Sequence, residues 1–149
     1  MNIKIIDTDK NNLGFLSLVK LLNIELREAN GEIQKQFEKH NSLENISDVF
    51  VIYDNITPIA CGGLREYNRD IVEIKRVFVL PAYRKMQLGI KIMALLEERA
   101  KIKGYKTAIL ETSVKLIAAA NLYYKLGYVD SENFREGLCG LWMKKSLLY

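Results

Sequence analysis

The sequence predicts a single α/β domain, residues 1–149, with a mixed sheet that is antiparallel in front and carries a parallel crossover in the middle. Three observations predict it. Residues 49–53, 57–67 and 71–80 read as strands, joined by the turn chemistry of Asp54-Asn55 and Asn68-Arg69-Asp70. An amphipathic helix then separates the third strand from another apolar strand, the order of a parallel crossover. No repeat, low-complexity segment or linker divides the 149 residues.

Each element has its own signal. Residues 2–7 alternate enough for a first strand. Asn11 or Asn12 caps a helix whose apolar positions are Leu13, Leu16, Val19, Leu21, Leu22, Ile24 and Leu26, with Gly31 as its stop. A second helix is expected over residues 32–39, and the polar stretch 40–48 reads as a loop. Gly62-Gly63, inside the second strand of the hairpin, marks a bulge or a close backbone approach.

Further along, Leu88, Ile92, Leu95, Leu96 and Ala100 form one helical stripe, with Glu97 and the lysines elsewhere on the helix and Gly104 at its end. Residues 106–110 are a buried type of strand. Thr112 or Ser113 caps a helix running to Leu126, and Gly127 closes it. The tail, residues 128–148, reads as two strands with a turn between them.

The most informative stretch runs from Val72 to Lys91. It is an apolar strand, a Pro81-marked turn, a basic loop ending at Gly89, and the first turn of a helix. A helix N-terminus offers unbonded N–H groups and about half a positive charge. Arg84 and Lys85 add mobile positive charge at the same point. The chemistry this suits is a phosphate-bearing ligand held mainly by backbone.

Composition narrows the classes. The formal charge is +4, from 22 basic and 18 acidic residues. That mild bias suits an anionic ligand, and without a basic stripe interleaved with aromatics it gives no case for nucleic acid. Cys61 and Cys139 lack CxxC spacing, which fits a reduced, cytoplasmic setting. The first residues are too short and too charged for a signal peptide, and no apolar run is long enough to cross a membrane. His40 is the only histidine and reads as solvated; no cluster has metal-ligand spacing, so no metal site is expected.

Two motifs then resemble those of a known family. Arg84-Lys85-Met86-Gln87-Leu88-Gly89 resembles the Arg/Gln-x-x-Gly-x-Gly/Ala loop of the GNAT superfamily, the acyl-CoA-dependent N-acyltransferases. Asn121-Leu122-Tyr123-Tyr124-Lys125-Leu126-Gly127-Tyr128 resembles that family's second signature. The two stand in the family's order, with one helix and one strand between them, and the resemblance spans about residues 49–143. Gln87 departs from it, standing where the family usually has the first glycine. Gln87 keeps an N–H for a phosphate but adopts φ > 0 less cheaply than glycine.

The resemblance implies a mixed, largely antiparallel twisted sheet flanked by helices, with a cleft between two splayed central strands. It implies acetyl-CoA as co-substrate. Val77, Phe78 and Val79 would offer backbone groups to the pantetheine arm. Arg84, Lys85, Met86, Gln87, Leu88, Gly89 and Ile90 would wrap the diphosphate, chiefly through main-chain N–H groups. Asn121 would bond the pantetheine or its ribose-side arm. Read from spacing alone, these positions fit an ordinary buried strand, a basic turn that caps a helix, and a polar helix surface.

The resemblance also assigns Tyr123 as general acid to the departing thiolate, since a phenol stays protonated at neutral pH. By spacing alone a core aromatic on a helix is the favoured reading. Glu73 is the candidate general base, a role that a raised pKa would suit; the alternative is a Glu73–Lys75 surface pair. Strand alternation sets Glu73, Lys75 and Val77 on one face. Glu111, ending the next strand, is the second candidate. The expected activity is acetyl or short-acyl transfer from acyl-CoA to an amine of a small molecule, peptide or protein, by direct attack in a ternary complex. Residues 22–48 would form the acceptor wall. A non-catalytic acyl-CoA-binding module is the alternative, supported only by Gln87. The apolar C-terminal strands suit pairing across a homodimer.

Overall fold

A computed structural model describes residues 1–31, 42–135 and 140–148. The helix expected over 32–39, His40 and Cys139 lie outside the described residues. The sheet has seven strands in the order β1-β2-β3-β4-β5-β7-β6. These are β1 (Ile3–Thr8), β2 (Ile46–Asp54), β3 (Thr57–Glu66), β4 (Ile71–Val79), β5 (Thr107–Thr112), β6 (Val129–Asp130) and β7 (Leu141–Ser146). Every pairing is antiparallel except β4 with β5. The expected mixed, largely antiparallel sheet is therefore present, with its crossover in the middle. β7 lies between β5 and β6, so the edge on that side is the two-residue β6 rather than the long apolar strand.

The helices are α1 (Leu13–Asn30), α2 (Leu88–Ile102) and α3 (Ile117–Lys125). Asn12 caps α1 by accepting the Phe15 N–H at 2.9 Å, which satisfies one otherwise open donor. α1 covers one face of the sheet, burying Phe15, Leu18, Val19 and Leu22 against Val49, Val51, Cys61 and Phe78. α2 and α3 cover the other face, where Ile92, Met93, Leu96 and Ala100 pack with Ile52, Ile59, Val72 and Ile74. Gly62 permits this close packing, since a Cβ there would lie 2.7 Å from Ile92 Cγ2 and 2.8 Å from Leu96 Cδ1.

Three expectations about elements change. β2 begins at Ile46, inside the stretch 40–48 that reads as a loop, because Ile46 is buried against α1. α3 begins at Ile117, not at Thr112 or Ser113. The Ser113 hydroxyl donates to Asn30 Oδ1 at 2.6 Å and accepts the Lys115 N–H at 3.1 Å, so it stabilises a turn in place of a helix start. Glu97, expected on the solvated side of α2, is buried; it accepts from the Tyr128 hydroxyl at 2.9 Å and from Lys145 Nζ at 2.7 Å.

The bulge signalled by Gly62-Gly63 is real, but its extra residue is in β4. Cys61 faces Phe78 while Gly63 faces Lys75, which puts Arg76 and Val77 opposite Gly62 alone. Arg76 takes φ 60°, the left-handed region. The insertion reverses the alternation that was to group Glu73, Lys75 and Val77. Val77 and Val79 instead pack with Val72 and Ile74 on the α2 side, and Phe78 packs on the α1 side.

Candidate active site

β4 and β5 pair only from Ile71–Thr107 to Glu73–Ile109. Beyond Glu73 the two strands part, and two cavities occupy the gap. The larger, of about 700 Å³, lies between β4, the start of α2 and the face of α3. The smaller, of about 120 Å³, lies between the parted strands and α1. Leu22, Val77, Leu116, Ala119 and Tyr123 border both, so Tyr123 stands where the two spaces adjoin.

The larger cavity gathers most of the residues expected to hold a phosphate-bearing ligand. Val77, Phe78, Val79, Arg84, Lys85, Gln87, Gly89 and Ile90 line it. Gln87 caps α2 with φ 60° and ψ 24°, the left-handed conformation the family's glycine would take most cheaply. The loop turn is made despite the side chain. Gly89 permits a close crossing of α2 and α3, because a Cβ there would lie 3.1 Å from Leu122 Cδ2. Lys115, in the turn before α3, and Lys125, at the end of α3, add positive charge.

Asn121, Met86 and Arg84 are placed differently from expectation, and Leu88 keeps the main-chain role expected of it. Asn121 is exposed and does not line the cavity; Leu122 and Tyr123 take the inward face of α3. Met86 is exposed outside the lining, while the Leu88 side chain enters the core and leaves only its backbone at the first turn of α2. Arg84 is not a mobile charge. It pairs with Glu25 at 2.8 Å, donates through Nε to the Val79 carbonyl at 2.9 Å, and lies over the Phe78 ring at 5.5 Å.

At the junction, the Tyr123 hydroxyl makes no hydrogen bond among the described residues, and burial pushes its pKa up to about 12. A group of this kind is a proton donor at neutral pH with its donor position open. Tyr124 points elsewhere: it is exposed and its hydroxyl bonds Asp130. Of the two adjacent tyrosines, Tyr123 is the one that borders the cavities.

The smaller cavity is lined by charge. Glu73, Lys75, Arg76 and Glu111 border it, and all but Glu111 are almost fully buried. Glu73 is neither a surface group nor a carboxyl with the raised pKa expected of it. Burial pushes its carboxyl up, but hydrogen bonds from Arg135 and the charges of Lys75 and Arg135 outweigh that and hold it below the usual range. Lys75 approaches it at 3.3 Å. Glu111 lies 3.7 Å from the same Arg135, and there burial wins: its pKa is raised, with Arg135 and Lys75 only partly opposing. Arg135 gave no signal in the sequence. Arg76 did, as a basic residue within an apolar strand, and was passed over.

Comparison with known proteins follows the same lines. A family model described as the acetyltransferase (GNAT) family matches residues 15–128. The uncharacterised protein YyaT of Bacillus subtilis is 31% identical over 140 residues, covering 91% of this chain and 88% of that one. A solved structure of a proposed acyl-CoA N-acyltransferase from Klebsiella pneumoniae superposes with a TM-score of 0.80 at 25% identity, covering 98% of both chains. PaiA N-acetyltransferase from Thermoplasma acidophilum, solved in complex with coenzyme A, shares the fold with a TM-score of 0.75 at 17% identity over 98% of this chain and 99% of its own.

Proposed function

The chain belongs to the acetyltransferase (GNAT) family, the acyl-CoA-dependent N-acyltransferases, and from that premise we propose that it transfers an acetyl or short acyl group to an amine by direct attack in a ternary complex. The observation that carries this reading is the position of Tyr123 between the two cavities. One space suits the long acyl carrier and the other an acceptor, and they adjoin at an undissociated phenol.

Acetyl-CoA is the co-substrate. The open amides at the start of α2, with Lys85, Lys115 and Lys125 around them, suit its phosphates. β4 beyond Glu73 has no strand partner on the β5 side among the described residues, which suits an amide-bearing arm laid along it. PaiA, of the same fold, holds coenzyme A.

In the proposed step the amine nitrogen attacks the thioester carbonyl, the C–N bond forms and the C–S bond breaks. Holding both reactants at the strand gap supplies proximity. The Tyr123 hydroxyl gives its proton to the departing sulfur. The amine loses its own proton to a carboxylate of the smaller cavity. We assign that role to Glu111, because a carboxylate with a raised pKa is the better base and Glu73 is engaged by Arg135. Glu73 remains the competing assignment, and the pH profiles of Glu111→Gln and Glu73→Gln separate them.

The alternative of a non-catalytic acyl-CoA-binding module rested on Gln87, and it loses that support because Gln87 adopts the conformation the loop requires. Steady-state thiol release with acetyl-CoA and an amine, both varied, tests the proposal. Intersecting double-reciprocal lines are expected; thiol release indifferent to amine would refute it. The setting we propose is cytoplasmic, as the two cysteines without CxxC spacing suggest.

A further inference from the structure

Arg76 is the charged group of the smaller cavity that the chemistry above leaves unused. It is 6% exposed, sits at the β4 bulge, and takes a left-handed backbone conformation unfavourable to a residue with a side chain. Its Nη2 donates to Asn23 Oδ1 on α1, and its buried Nε has no partner among the described residues. It forms no ion pair among them. The contrast with its neighbours is sharp, since Glu73 is held by Arg135 and Lys75 in turn by Glu73. Among the described residues the ionisable groups that face it are Lys75, a cation, and Cys61, a buried thiol with its pKa pushed up to about 12, and neither supplies negative charge.

A buried guanidinium without a counter-ion is costly, and it is retained where something else brings the charge. The cavity it borders also holds Glu111, whose carboxyl suits an amine. Among the described residues, Lys75, Arg76 and the neighbouring Arg135 against Glu73 and Glu111 leave one positive charge in excess. The space, about 120 Å³, is the share of roughly four water molecules, enough for a carboxylate and a few carbons.

We propose that the acceptor is a small amine that also bears a carboxylate, of the amino-acid class, with Arg76 binding the carboxylate while the amine faces Glu111 and the acyl donor. This rests on the acyltransferase reading above and names its substrate class. It excludes a protein lysine, whose side chain brings an amine and no carboxylate into the cavity.

The test is amine-dependent thiol release from acetyl-CoA with free amino acids, their carboxamides and their decarboxylated amines, using the full chain. Polyamines and a lysine-containing peptide extend the panel. The expected result is a kcat/KM about 100-fold higher for at least one amino acid than for its carboxamide and amine, the size of a charge-assisted bond lost in a buried site. Arg76→Gln and Arg76→Met should erase that ratio, chiefly through KM, with acetyl-CoA affinity unchanged and thermal unfolding not lowered.

The wild-type ratio alone decides the matter if a variant fails to fold. Carboxamides or plain amines reacting as well as amino acids would overturn the inference, as would a ratio unmoved in a folded Arg76 variant. Release only with polyamines or the peptide would overturn it and leave the acyltransferase reading standing. Absence of both acetyl-CoA binding and release would overturn the two together.

Discussion

Arg135 holds Glu73 with both arms of its guanidinium, Nη1 donating to Oε1 at 2.7 Å and Nη2 to Oε2 at 2.8 Å. The bond ties the chain before β7 to β4, at a carboxylate that borders the smaller cavity. It fixes Glu73 as a carboxylate. It leaves Glu111, 3.7 Å from the same arginine, as the carboxyl that burial makes more basic.

Glu73→Gln removes a carboxylate partner of the buried Lys75 and the half-buried Arg135, so a loss of about 1.5–3 kcal/mol is expected in denaturant unfolding. The pH dependence has a definite sign. Because the folded-state pKa of Glu73 lies below the ordinary value of 4.5, its stabilisation is present above that value and disappears as pH falls through the folded pKa. Asp48, held by Lys103 and Arg99, behaves likewise from 3.8. The wild type should therefore lose stability steeply in acid, and Glu73→Gln less steeply.

Glu111→Gln should leave acetyl-CoA affinity intact and lower kcat/KM by about 10²–10⁴-fold, the contribution of a general base. In the wild type the rate should rise with pH as Glu111 deprotonates, with a midpoint above the ordinary 4.5. That acid limb should vanish in Glu111→Gln. If it vanishes in folded Glu73→Gln instead, the base is Glu73.

Tyr123→Phe removes a hydroxyl that has no bond among the described residues. Thermal stability should hold, while kcat falls by about 10²–10⁴-fold. Since its pKa stands near 12, no basic limb from Tyr123 should enter the pH–rate profile in the neutral range. Equal turnover in wild type and variant would remove its role as acid.

Gln87→Gly relieves a left-handed backbone that costs a non-glycine residue about 1–2 kcal/mol. Against the extra freedom glycine brings to the unfolded chain, a net gain of about 0.5–1 kcal/mol is expected in thermal unfolding. Acetyl-CoA affinity measured by calorimetry should change by less than about tenfold, because the loop already has its shape. A large gain in affinity would mean that the glutamine side chain, and not the backbone, limits binding.

How far the sequence could be read depends on the range of the interaction concerned. The strands from β2 to β5, the Asn12 cap and the stop at Gly127 have local causes, and those causes stand in the sequence. The turn from β4 into α2, proposed to hold phosphate, was legible for the same reason. What misled was long-range. The Arg76 bulge reverses the alternation of β4, and no period-two count detects an inserted residue. Ser113 was diverted from capping by Asn30, 83 positions earlier. The fate of Glu73 turned on Arg135, 62 residues away, which only the fold brings near. Charged residues within an apolar strand were the available warning, and in β4 there were three, Glu73, Lys75 and Arg76.

The proposed mechanism stands on direct transfer at the gap between β4 and β5. The most direct test is rapid mixing of the protein with acetyl-CoA, with and without an accepted amine, while free thiol is followed. Direct attack predicts no thiol beyond background without amine, and release that continues over many turnovers once amine is added. A stoichiometric burst of thiol without amine would mean that a residue of the protein takes the acyl group first, and it would contradict the claim.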